Sequence, residues 1–280
     1  MDVPGERSRI GRILLWAAIA LTVIGVGFPL FWMTVSSAMP YQELFSRTPR
    51  LLPRHPTIQH YVDLLSRTVF PVYFVNSTIV AVLATVGAVS LATLAGYGLT
   101  RFRFPGRDLI AQMVLFSYMF PPILLSIPLF VLLKQLGLVN SYAGLSLAHI
   151  SFALPFAMWL AVIFFQAIPV DLDEAAMVDG ASRLGALLRV VLPLAIPGVV
   201  ANAVFVFVLS WNDYLFSVVL VVDEARKTLP VGVAGFADST SVEWGLMMAG
   251  GVLITLPIML GFTVVQRYLI QGLSAGAIKG

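Results

Sequence analysis

The chain contains no cysteine, which excludes disulfides and thiolate metal sites. It is also poor in charge. Asp, Glu, Lys and Arg make up 11% of its 280 residues, against 59% hydrophobic, and the mean hydropathy is +0.93. A water-soluble domain of this length exposes far more charge, so that class is excluded. The net charge of +3 is small, and membrane orientation accounts for it better than a nucleic-acid partner does. No GxxxxGK[ST] is present, so the chain cannot cradle ATP through a P-loop. HExxH, GxSxG and GxGxxG are missing from any setting where they would carry chemistry. No paired carboxylates sit in the apolar runs for a proton relay, and no repeat relates the first three runs to the last three.

What is present is a series of long apolar runs, at about Ile13–Val35, Pro71–Thr100, Leu109–Leu133, Ala143–Gln166, Ala195–Val222 and Trp244–Val265. Each is long enough to cross a bilayer as a helix, which takes about 20 residues. The expectation is therefore an all-α integral membrane protein with six transmembrane helices. The first run follows Arg7, Arg9 and Arg12 and exceeds the apolar core of a signal peptide, which is about 7–15 residues. It reads as an uncleaved first span. Arg101, Arg103, Arg107, Arg183, Arg189, Arg267 and Lys279 fall on the same side as that tail in a six-span topology. The bias of short basic segments makes that side cytoplasmic, with both termini in the cytoplasm of a bacterial or archaeal plasma membrane. The expected organisation is 1–70 for the tail, first span and outer loop, 71–270 for the main transmembrane domain, and 271–280 for a cytoplasmic tail.

Several side chains stand out within this frame. Ala84, Ala88, Ala92 and Gly96 recur every fourth residue and give one helix face close approach to another. Pro121, Pro122 and Pro128 interrupt the third run, either lining a path or bending the helix around a neighbour. His149 in the fourth run is either a cavity residue or a satisfied packing residue. His55 and His60 in the first outer loop have no other ligand types at metal spacing and read as solvated. The fifth run carries Asn202, Trp211, Asn212, Asp213 and Tyr214. Asp213 is the only carboxylate within an apolar run, and such a group faces a cavity or a partner. These five residues are the candidate substrate path.

Between the fourth and fifth runs lies DLDEAAMVDGASRLGALLRVVLPLAIPG, residues 171–198. Asp171 with Glu174 three residues later fits a capping box, Gly180 fits a helix stop, and Ser182 fits the cap of a second helix. The expectation is a helix–turn–helix elbow over 171–194 with a flat, Ala-rich surface suited to docking in another protein's cleft.

At these residues the chain resembles a known family. Glu174-Ala175-Ala176, then Gly180 after three residues, then Val190, Leu192 and Pro193 after nine more, match the EAA motif of ABC importer permeases. Val190 stands where Ile is usual. WNDYLF (residues 211–216), TLPVGVAGF (228–236) and QRYLIQGLSAGAIKG (266–280) are similar to the carbohydrate class, in particular the second permease subunit of maltose-type transporters. Asp213 replaces the usual Glu of that class. The resemblance implies a type I importer permease fold with cytoplasmic coupling helices. It implies that Glu174, Ala175, Ala176, Asp179, Gly180, Leu192 and Pro193 couple the chain to an ATPase. It further implies a second homologous permease subunit, two ATPase subunits that bind the ATP and Mg, an extracytoplasmic substrate-binding protein, and no cofactor or metal in this chain. The cargo it implies is a sugar. A non-sugar solute for the same machinery, or a stand-alone secondary transporter, are the alternative readings.

Overall fold

The structure is a computed structural model and describes residues 9–46, 50–237 and 243–277. Arg7, Asp238, Ser239 and Lys279 lie outside the described residues. Helix is the only regular structure among those described. The chain forms two compact units, one of residues 1–68 with 233–255, the other of 69–232 with 256–280.

The first unit holds the long helix α1 (Arg9–Ser37) and two short helices, α2 (Tyr41–Leu44) and α3 (Gln59–Arg67), in the loop after the first run. This loop is tied down. Thr57 N donates to Ala38 O at 2.9 Å, and Ser37 Oγ meets Tyr61 OH at 2.7 Å. His55 is exposed, but His60 is buried, which corrects the solvated reading of it. Its Nε2 lies 2.7 Å from Met39 O, and the Tyr41 ring packs edge-on against it. Tyr41 OH in turn donates to Glu243. Partial burial and that carboxylate push the Tyr41 phenol up to about 12.

In the second unit the order is α4 (Phe70–Arg101), α5 (Arg107–Ser117), α6 (Pro122–Gln135), α7 (Tyr142–Gln166), α8 (Asp171–Val178), α9 (Arg183–Ala186), α10 (Leu192–Trp211), α11 (Leu215–Leu220) and α12 (Leu229–Ala234). The final helix, α13 (Trp244–Ala277), runs on past the expected end of the sixth span. Helices α4, α7 and α10 form the core. Ala84, Ala88 and Ala92 are fully buried, and Gly96 lies against Ala161 of α7. The small-residue face does what its spacing predicts.

Two spans depart from continuous helices. The third is two helices, α5 and α6, meeting at 100°. Pro121 and Pro122 at the corner lack backbone N–H groups, and a proline disfavours helical geometry in the residue before it. Among the described residues five helices are long and apolar enough to cross a membrane on their own, or six spans if the bent pair counts as one. The helix of the fifth run is preceded by a π-helical stretch, Leu187–Val191, just ahead of Pro193. Widening the turn there accommodates a proline whose ring would otherwise crowd the carbonyl four residues back. That run also stops early. Helix α10 ends at Trp211, and α11 follows after a break at 212–214 instead of one helix running to Val222.

Candidate functional site

The elbow is built much as its residues require. Three acids, Asp171, Asp173 and Glu174, occupy the first turn of α8, where they complement the helix dipole. Asp171 is the first helical residue, not the cap; Val170 precedes it and no side chain caps the helix. Gly180 adopts φ +87°. Ala181 N donates to Ala176 O at 3.0 Å and Gly180 N to Met177 O at 3.1 Å, the paired bonds of a Schellman stop. Ser182 Oγ then accepts from Gly185 N at 3.1 Å and starts α9. Glu174, Ala175, Asp179, Gly180 and Pro193 are exposed, Leu192 is half-buried and Ala176 is buried.

Asp173, next to Glu174, turns inward. Arg101 Nε donates to Asp173 Oδ2 at 2.7 Å, and Tyr97 OH donates to Oδ1 at 2.7 Å. The remaining Arg101 nitrogens reach the end of α7: Nη1 donates to Phe165 O at 3.2 Å and Nη2 to Ile168 O at 2.9 Å. The Arg183 guanidinium sits 5.0 Å above the Phe102 ring. A cleft of about 550 Å3 opens beside this cluster, lined by Arg103, Glu174 and Met177 among others.

A second polar network fastens the opposite end of α4. Asn76 Nδ2 donates to Ala225 O at 2.9 Å and Lys227 O at 2.8 Å, while its Oδ1 accepts from Tyr142 OH at 2.7 Å. Ser77 Oγ accepts from Leu229 N at 2.8 Å, and Tyr73 OH donates to Glu224. Asn140, at φ +59°, accepts from Val222 N and Asp223 N. Segment 222–229 is thereby strapped to α4 and to the turn before α7. From Asn76 to Tyr97 the rise along α4 is about 30 Å, the hydrocarbon thickness of a bilayer. Polar fastenings therefore flank an apolar stretch of bilayer width.

The five path candidates are not gathered on one surface. Asn202 is buried, with Nδ2 donating to Ala157 O at 2.8 Å across to α7. Trp211 is buried and stacks with Phe207. The Asp213 carboxylate accepts from Phe216 N, Ser217 N and Ser217 Oγ and so opens α11. His149 lies between two of its neighbours. Its Nδ1 is 2.6 Å from Ser210 Oγ, and its Nε2 is 3.1 Å from Asp213 Oδ2, an ion-pair distance without a hydrogen bond's alignment. His149 is thus a partnered packing residue. Asn212 and Tyr214 are exposed. Of the third-run prolines, Pro128 lines a separate apolar cleft of about 350 Å3, with Leu129, Phe152, Pro155 and Phe216.

Sequence reasoning missed Asp173, Tyr97, Tyr142 and Asn140. Asp173 was open to detection: at about 100° per residue it cannot share Glu174's outward face, so it needed a cation, and Arg101 stood in the nearest basic loop.

Among the described residues the chain is helical, with spans of bilayer length and polar fastenings at both ends of its core helix, the build of a multi-pass membrane protein. It belongs to the family described as binding-protein-dependent transport system inner membrane component, whose model matches residues 88–275. The chain is 39% identical over 272 residues to the trehalose/maltose transport system permease protein MalG of Thermococcus litoralis, covering 96% of this chain and 97% of that one. It is 37% identical over 277 residues to the inner membrane ABC transporter permease protein YcjP of Escherichia coli, covering 98% and 99%. A crystal structure of a bacterial ABC transporter that imports alginate shares the fold, with a TM-score of 0.81 at 21% identity over 96% of this chain and 99% of that one. The resemblance read from the elbow and the WNDYLF segment is borne out. The protein is a multi-pass transport permease of the inner membrane type, not an enzyme in its own right.

Proposed function

We propose that this chain is one of two homologous permease subunits of a sugar importer driven by ATP. Two ATPase subunits bind ATP and Mg and dock on the elbow from the cytoplasm, where both termini also lie. An extracytoplasmic substrate-binding protein delivers the sugar to the other face. The observation that carries the coupling part is the elbow's construction. Residues 171–186 form two short helices, the first stopped at Gly180 and the second capped by Ser182, whose outward face includes Glu174, Ala175 and Asp179. A solvated loop needs no such rigidity. Ala176, Gly180, Leu192 and Pro193 shape and terminate that surface, and Glu174 pairs with a basic residue of the ATPase. The sugar class is supported by the trehalose/maltose permease among the relatives and by the WNDYLF and TLPVGVAGF segments.

Asn202, Trp211, Asn212, Asp213 and Tyr214 make up the proposed substrate path. Asn212 and Tyr214 supply the contacts, because their side chains are exposed. Asp213, Trp211 and Asn202 hold the segment in place from behind. The test is co-purification of the four-part complex followed by ATPase assays with its binding protein across a panel of disaccharides, oligosaccharides, amino acids and peptides. Stimulation by a sugar supports the reading. Stimulation only by amino acids or peptides contradicts the sugar class, and a permease that purifies without an ATPase contradicts the coupling.

A further inference from the structure

We infer that Arg101, Asp173 and Tyr97 form a latch that makes the elbow one rigid body with the ends of α4 and α7, so that they act as positioning residues for coupling. The inference rests on the elbow being the ATPase docking site.

The Arg101 and Asp173 side chains are 4% and 5% exposed. Burying an ion pair is poor value for stability alone, since desolvation offsets most of the attraction. What this pair supplies is geometry. The guanidinium fork spends its donors on three different segments: Asp173 of α8, Phe165 of α7 and Ile168 of the connection between them. Those carbonyls are at or just past the end of α7, where the helix dipole is negative. A lysine could not reproduce the fork. Tyr97 OH fills the second carboxylate oxygen and lies 3.4 Å from Arg183 O of α9. One turn of α4 therefore grips both helices of the elbow and the span that leads into it.

Glu174 follows Asp173 directly, so the proposed docking contact and the latch are one residue apart and about 100° apart around α8. Force applied at Glu174 reaches α4 and α7 only if the elbow does not swivel against them. The latch removes that swivel.

The test uses spin labels in the assembled complex with its ATPase, and the absence of native cysteine leaves no background from this chain. Nitroxides are placed on exposed Val178 of α8 and exposed Val86 of α4, both through cysteine, and their separation is followed with and without Mg-ATP. In the parent protein the distance distribution should be narrow and should not move with Mg-ATP. In Asp173→Asn it should lose its narrow form and shift with Mg-ATP, and Tyr97→Phe should do so to a lesser degree. A residue that only stabilised the fold would show no nucleotide-dependent shift. Distributions in both variants as narrow and fixed as the parent's would overturn the latch, as would a parent distribution that moves as much as theirs. If Asp173→Asn does not assemble, Tyr97→Phe, which loses a single hydroxyl, decides by the same criterion. Glu174→Lys separates the underlying reading: an ATPase that stays bound and active there overturns the docking site, whatever the latch does.

Discussion

Gly96 lies so close to Ala161 that a Cβ on the glycine would stand 2.8 Å from the alanine's own Cβ and 3.1 Å from its carbonyl carbon. That Cβ is fixed to its backbone and the backbone itself comes next, so neither can swing aside. With Ala84, Ala88 and Ala92 fully buried on the same face, α4 and α7 are packed to the limit that small residues permit. Gly96→Ala should therefore destabilise the helix pair by about 1–3 kcal/mol, and Gly96→Leu should abolish recovery of folded protein. Thermal melts of the purified permease check the first and yield from membranes the second. A neutral Gly96→Leu would mean the two helices are not held at this distance.

Asp213 has two structural duties, capping α11 and facing His149. Asp213→Ala should cost about 1–3 kcal/mol, the desolvation of groups left unpaired, and should reduce assembled complex. Asn212→Ala and Tyr214→Ala lose no buried bond, so assembly should stay normal while the transport KM for the sugar rises. Measuring yield and KM on the three variants separates support from contact. Unchanged KM in both Asn212→Ala and Tyr214→Ala would remove them from the path.

The strap over 222–229 should respond to acid. Hydrogen bonds from Lys227 and then Tyr73 hold the Glu224 carboxyl below its ordinary range. A depressed carboxylate contributes stability that is present above its unfolded pKa and lost as pH falls through the folded one. Protease cleavage near 224–228 should therefore increase only below the usual glutamate range, and the effect should be small, since Glu224 is well exposed and solvent screens it. Asn76→Ala, which removes two carbonyl contacts and the Tyr142 partner, should loosen the same segment at every pH. Equal protection of that segment in Asn76→Ala and the parent would refute the strap.

How much of this was legible in the sequence depended on whether a residue's role is local. The small-residue face was legible because its period is that of the helix. The elbow's second cap and its glycine stop were legible because Ser182 and Gly180 act within a few residues of themselves. The break at 212–214 was not. Leu215–Val222 is apolar and compatible with a continuing helix, and only Asp213 turning back to Phe216 and Ser217 beside His149 ends α10 there. His60 failed for the same reason: its burial depends on Met39 and Tyr41, which the sequence does not place beside it. Pro121 and Pro122 announced a kink, but the 100° between α5 and α6 is larger than a proline pair requires, and packing sets the rest.

The central claim, that the elbow is the cytoplasmic docking point for an ATPase, is tested most directly at Val178. It is 87% exposed on α8, four residues along from Glu174, and a cysteine there would be the only one in the chain. In membranes carrying the whole complex, a short thiol crosslinker at Val178→Cys should join this chain to the ATPase subunit. An impermeant maleimide should label it only from the cytoplasmic face and only after the ATPase is stripped. Labelling from the outer face, or free labelling from the cytoplasm with the ATPase still bound and no crosslink formed, would contradict the account.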